Sequence, residues 1–271
     1  MRLFLVPIST RRALIYSQPL SKNLAQKLSI TDRITNKAAE TWAKWEEADK
    51  GWKKHLVSWG NVVQRRIPFE EWGLKSIPSL NAQRRLNQSD ADKKVDVLFP
   101  GNAIRREKLR PVLYAIAVGR QNLHRNKMWW SFIIAPLTAP IALLPVIPNI
   151  PFFYLVYRGW SHWRALNGSK YLEFLIKKDL LNPVPYPALE KLYAERVSGV
   201  LKTTHAEKST PDVVENSDDK LLLEMSDAKQ LASILDAPEL ALEAERAIVQ
   251  VEQQLNAQHE KHDADSSKKK S

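Results

Sequence analysis

The groups that titrate, coordinate or attack are few in this chain, and their spacing is uninformative. Of the six histidines, His55, His124, His162, His205, His259 and His262, only the last two have a ligand-like separation. His259-Glu-Lys-His262 sets two imidazoles at i and i+3, a spacing that metal ligands on one helix face use. It lies in a Lys- and Ser-rich stretch that reads as solvated. None of the six pairs with a carboxylate by spacing. With no Cys in the sequence, thiolate metal sites, cysteine nucleophiles, iron–sulfur clusters and disulfides are excluded. Eight scattered Gly leave no loop to cradle a phosphate, and no zincin motif or nucleophile elbow occurs. The chain is read as non-enzymatic, with no catalytic, cofactor or metal residue assigned.

Interfacial chemistry has more support. Trp42, Trp45, Trp52, Leu56, Trp59 and Val63 recur at spacings of three, four and seven, which places them on one face of a helix running from an Asp32 cap to about Arg65. Lys53 and Lys54 lie beside that face. Trp42, Trp45, Trp52, Trp59, Lys53 and Lys54 are therefore the candidate lipid-facing surface, with indoles among headgroups and ammoniums on anionic lipid. Packing against a second apolar face near 104–122, through Leu109, Leu113, Ile116, Ala117 and Leu123, is the alternative. Stacking on nucleic-acid bases is a third option, and no nucleic-acid motif supports it.

The thirty residues from Met128 to Tyr157 carry no charge of either sign. Twenty-two are apolar or aromatic, five are proline, and Ser131, Thr138 and Asn149 complete the stretch. A bilayer needs roughly 20 such residues as helix, so the length predicts a membrane segment. Trp129 and Trp130 at one end, and Tyr157, Trp160 and Trp163 at the other, suit interface aromatics. Pro136, Pro140, Pro145, Pro148 and Pro151 each withdraw a backbone donor, and the cluster over 145–151 predicts a break between arms at about 129–144 and 151–166. A kinked crossing and a short helical hairpin both remain open. Flanking Arg110, Arg120, Arg125 and Lys127 on one side, and Arg158, Arg164 and Lys170 on the other, give no inside bias, which leans to the hairpin. A buried hairpin in a water-soluble core is the remaining reading.

Around this block the chain divides into five segments. Residues 1–31 lack acid before Asp32 while holding Arg2, Arg11, Arg12, Lys22 and Lys27, the composition of an import leader. The same residues read as a β-hairpin, Arg2–Ile8 and Ala13–Ser17. Residues 32–127 form the basic, Trp-rich helical region, with 67–100 mostly irregular. Residues 128–166 are the Pro-rich hydrophobic segment, 167–202 a helical juxtamembrane region, and 203–271 an acidic linker and helical tail. In the tail, Asp236-Ala-Pro-Glu239 has the form of a capping box. It opens a helix with Leu240, Ala244, Ala247, Ile248 and Val251 on one side, behind a shorter helix at about 227–235. Residues 1–127 hold 25 basic to 11 acidic side chains, and 158–271 hold 16 to 19. The net charge of +11 thus sits in the first half and suits a lipid surface before nucleic acid. The predicted fold class is mainly α. It is a helical membrane protein with one Pro-rich membrane segment, a kinked span or short hairpin, and a small N-terminal β-hairpin.

Three stretches together resemble a known family. They are the opening Met1-Arg-Leu-Phe-Leu-Val-Pro-Ile-Ser9, the basic run Arg120–Lys127, and Pro148-Asn-Ile-Pro-Phe-Phe-Tyr-Leu-Val-Tyr-Arg-Gly-Trp-Ser-His-Trp163. Over roughly its first 200 residues the chain resembles the fungal mitochondrial K+/H+ exchange-related proteins. The resemblance implies an inner-membrane protein associated with electroneutral exchange and matrix volume, and it carries over no catalytic residue. A cation–proton carrier ordinarily needs an ionisable group at membrane depth, and the uncharged block has none; Glu107 and Glu173 are the nearest acids. Asn149 and proline-freed carbonyls could enclose an ion only if several chains assembled. The expected function is an auxiliary or regulatory component of exchange, in contact with membrane lipid, inner-membrane protein partners or further copies of the chain. The alternative is an inner-membrane adaptor that recruits ribosomes or assembly factors through its basic half.

Overall fold

Burial alternates between two faces along the first strand, and that alternation sets the architecture. The computed structural model describes residues 1–18, 66–79, 94–138, 150–205 and 219–268. Strands β1 (Arg2–Pro7) and β2 (Ala13–Gln18) form an antiparallel hairpin with Phe4 opposite Tyr16. β1 pairs in parallel with β3 (Val95–Phe99), and β3 in parallel with β4 (Leu181–Pro185), giving the order β2-β1-β3-β4. β4 lies at an edge of this sheet, which is how it accommodates Pro183 and Pro185: residues two apart turn their missing donors to the same unpaired side. The described helices are α1 (Phe69–Ser76), α2 (Arg106–Val118), α3 (Gln121–Leu137), α4 (Ile150–Lys177), α5 (Pro187–His205), α6 (Asp227–Ile234) and α7 (Glu239–Lys268).

Successive strand side chains point to opposite faces, and helices cover both. Phe4, Val6, Leu14, Tyr16 and Leu98 pack with Leu189 and Tyr193 of α5 and with the apolar sides of α6 and α7. Leu3, Leu5, Ile15, Val95, Val97 and Phe99 pack with Leu109 and Leu113 of α2 and with Leu172 and Leu175 of α4. Strands buried on both faces read as continuous apolar runs without alternation in polarity, as Leu3–Ile8 does.

The chain is therefore mixed α/β, with helices on both faces of a four-stranded sheet. This corrects the expectation of a mainly α helical membrane protein. Among the described residues no helix is long and apolar enough to cross a membrane. The physical reason is the placement of the uncharged block. α3 enters it only after His124, Arg125 and Lys127, and α4 leaves it at Arg158 and continues through Arg164, Lys170 and Lys177. The expected N-terminal hairpin is present, with β1 as an inner strand whose Leu3, Leu5 and Val6 are fully buried. Residues 67–100, read as irregular, supply α1 and β3. The Asp236 capping box does not form. Asp236 has φ 48°, and its N–H and that of Ala237 return to Ser233 O and Ala232 O, the pattern that ends a helix. Glu239 instead accepts from the Tyr16 hydroxyl at 2.6 Å.

Helix α1 is pressed closely between β2 and α4. A Cβ on Gly73 would lie 2.5 Å from Ile15 O of β2, and one on Gly168 of α4 would lie 2.0 Å from Leu74 O. Only the missing Cβ lets backbones approach so closely. From α7, Gln250 accepts from the Phe69 N–H at 3.0 Å and donates to Ile67 O at 2.9 Å, fixing the start of α1.

Candidate functional site

Where α1, α3 and α4 meet, the fold buries a connected set of polar side chains. On α4, Arg158, Ser161 and His162 stand at i, i+3 and i+4, one helix face. On α3 the buried residues are His124, Ser131 and Ala135. α1 contributes Glu71, 1% exposed. Arg158 donates to both Glu71 oxygens, Nη1 to Oε1 at 2.9 Å and Nη2 to Oε2 at 3.1 Å. Ser161 Oγ donates to Glu71 Oε1 at 2.6 Å and accepts from Lys75 Nζ at 3.1 Å. Losing one partner of such a buried pair typically costs about 3–5 kcal/mol, because the other charge is stranded.

The hydrogen bonds assign the imidazole protons. A guanidinium only donates, so His162 Nε2, 3.0 Å from Arg158 Nη2, is the acceptor and the His162 proton sits on Nδ1. That N–H reaches His124 Nδ1 at 3.0 Å, with Glu71 Oε2 at 3.6 Å. The His124 proton is then on Nε2, a buried atom with no hydrogen-bond partner. Burial lowers both histidines to about 4, Glu71 opposing it and Arg158 adding to it. Burial pushes Glu71 up, but the Ser161 hydrogen bond and Arg158 outweigh it and hold the carboxyl below its usual range. Lys75 is lowered to about 8, chiefly by burial. One ligand-capable atom from each of Glu71, His124 and His162 lies within 4.8 Å of the others.

Above this cluster, α3 is built inside out. Its buried seam is small and polar, whereas Trp129, Trp130, Ile133 and Leu137 are 59%, 63%, 57% and 75% exposed. On α4, Phe153, Val156, Tyr157 and Trp163 are exposed as well, while Trp160 is half-buried with Arg164 over its ring at 5.9 Å. A cavity of 310 Å³ between the two helices is lined in part by Lys127, Trp130, Arg158 and His162, joining the apolar surface to the buried cluster. Of the residues assigned to the membrane segment, Trp129 and Trp130 are exposed on α3 and Tyr157 and Trp163 on α4. Pro136 lies inside α3 and Pro151 in the first turn of α4. Pro140, Pro145, Pro148 and Asn149 lie outside the described residues, as do Trp42, Trp45, Trp52, Trp59, Lys53 and Lys54. The cluster itself is invisible to sequence spacing, since Glu71, His124 and His162 come from three helices. Its local trace is the Arg158, Ser161, His162 face.

A family model described as mitochondrial K+-H+ exchange-related matches residues 2–176. The chain belongs to that family. The match takes in β1–β3 and α1–α3 and nearly all of α4, so the exchange-related core contains Glu71, His124, Arg158, Ser161 and His162. The resemblance carried by Arg120–Lys127 and Pro148–Trp163 falls inside it too. The family description ties the chain to the mitochondrion and to K+/H+ exchange. An uncharacterized protein of Schizosaccharomyces pombe is 29% identical over 215 residues, 79% of this chain and 92% of the relative. An uncharacterized protein of Saccharomyces cerevisiae is 25% identical over 201 residues, 65% of this chain and 63% of the relative. No solved structure matches.

Proposed function

We propose that this protein is an auxiliary or regulatory component of K+/H+ exchange at the mitochondrial inner membrane, acting on matrix cation content and volume. The observation that carries the reading is the inverted α3, whose Trp129, Trp130, Ile133 and Leu137 face outward. A contiguous exposed apolar surface marks an interaction site. Indoles beside the exposed Arg125 and Lys127 suit anionic headgroups, or a membrane protein at their level. The protein is thus seated peripherally on the membrane face and acts on an exchanger.

Mitochondria from cells lacking the protein test this directly. They are expected to swell slowly in potassium acetate, and nigericin, which exchanges K+ for H+, is expected to restore both swelling and growth. Growth that nigericin leaves defective would favour the ribosome or assembly adaptor. Purified protein that alone drives K+-dependent proton flux in vesicles would overturn the auxiliary role.

A further inference from the structure

We propose that Glu71, His124 and His162 form a site for one divalent transition-metal ion of the Zn2+ or Co2+ class, with Arg158 as its displaceable competitor. The proposal is independent of the exchange reading. Two ligands each about 2.1 Å from a tetrahedral ion lie about 3.4 Å apart. His124 Nδ1 and His162 Nδ1 are 3.0 Å apart, and His162 Nδ1 and Glu71 Oε2 are 3.6 Å apart; these two separations bracket that value, and one ligand-capable atom of each of the three residues lies within 4.8 Å of the others. All three residues are buried. Two imidazoles and one carboxylate suit Zn2+ and Co2+, whereas K+ and Mg2+ prefer all-oxygen shells. The carboxylate is already oriented, because Ser161 Oγ holds Glu71 Oε1 at 2.6 Å and leaves Oε2 to the ion, as hydrogen bonds behind metal ligands do.

Without the ion, the two Nδ1 atoms already face each other across one shared hydrogen at 3.0 Å, while the His124 Nε2 proton points away from the pair and leaves Nδ1 free to coordinate. Coordination through both Nδ1 atoms requires the His162 proton to move to Nε2, where it opposes the Arg158 N–H now 3.0 Å away. Arg158 must then release Glu71 Oε2 and turn into the cavity it already lines with His162. That cavity is the ion's route inward. The guanidinium neutralises Glu71 when the ion is away, and the ion replaces it.

The test uses untagged full-length protein carrying His259→Asn and His262→Asn, which removes the only other closely spaced histidines. Zn2+ binding is read by equilibrium dialysis, the Co2+ complex by its visible absorption, and folding by melting temperature with and without Zn2+ and EDTA. The expected result is one equivalent bound, a melting temperature raised by Zn2+ and returned by EDTA, and a Co2+ spectrum of nitrogen and oxygen ligands. His124→Asn and His162→Asn should each weaken Zn2+ at least about tenfold. Arg158→Met keeps every ligand and removes the competitor, so it should bind more tightly; if it is unfolded alone, Zn2+ should refold it. No binding by either the parent or Arg158→Met overturns the proposal. So does binding that persists within twofold when both His124 and His162 are replaced, or an Arg158→Met protein that Zn2+ neither binds nor refolds.

Discussion

At the residue scale, Lys75 carries a positive charge into the half-buried rim of the ionic cluster. Burial dominates its environment and lowers it to about 8, Glu71 attracts it, and Arg158, Arg246 and Arg164 oppose it. Below pH 8 both folded and unfolded chains hold this proton, and the cost of burying the charge is fully present. Between pH 8 and 10.5 the folded chain has released the proton while the unfolded chain keeps it. The unfolded state then binds more protons, so stability rises with pH. Above about pH 10 the phenols oppose this trend, since burial raises Tyr171 to about 12 and unfolding lets it ionise. The urea midpoint is therefore expected to climb between pH 8 and 10, the unfolding free energy rising by at most about 1.4 kcal/mol per pH unit. Lys75→Met should flatten that climb. A wild-type midpoint that is flat over the window would show that Lys75 is solvated.

At the scale of elements, α1 is short, yet the cluster depends on where it lies. Eight residues are too few to hold a helix by themselves, and its position comes from β2, α4 and α7 around it. The approach of α4 rests on Gly168, where an added Cβ would meet Leu74 O at 2.0 Å and Ile77 O at 3.1 Å. Both contacts are backbone, so neither can swing aside. Gly168→Ala should force the helices apart and cost about 1–3 kcal/mol, the usual penalty of overpacking, despite the better helix propensity of alanine. A lowered denaturant midpoint with an unchanged slope is the expected reading; a midpoint equal to that of the wild type would contradict the close crossing.

At the scale of the whole molecule, many of the exposed large apolar side chains among the described residues belong to α3 and α4. α3 and the N-terminal part of α4 turn Trp129, Trp130, Phe153 and Tyr157 outward, while the C-terminal part of α4 joins α2 on one face of the sheet and α5, α6 and α7 cover the other. Burying one such side chain is worth about 1.5–3 kcal/mol, so two of them govern attachment to a surface. Trp130→Glu with Leu137→Glu should cut flotation of the protein with anionic phospholipid vesicles by at least about tenfold while leaving the melting temperature unchanged, because both sites are exposed. Equal flotation of the double variant and the wild type would remove lipid as the partner of this surface.

Some of this was written in the order of residues alone. The N-terminal hairpin, a helix near 104–122 (observed as Arg106–Val118), helical arms on both sides of the proline cluster and the helical tail follow from local patterns, because periodicity and proline act within a few residues. The absence of cysteine settled what the chemistry cannot include. The resemblance carried by Pro148–Trp163 led to the family, since those residues are specific as a string. Tertiary structure decided the rest. Whether thirty uncharged residues cross a bilayer depends on how helices partition them, and α3 and α4 divide them and add charge at their outer ends. The parallel pairing of β1, β3 and β4 joins residues some ninety positions apart, which no local pattern encodes. The Glu71, His124, His162 cluster arises only because α1 is clamped where α3 and α4 cross; burial there alters the acidity of each group, and burial is a property of the packed chain.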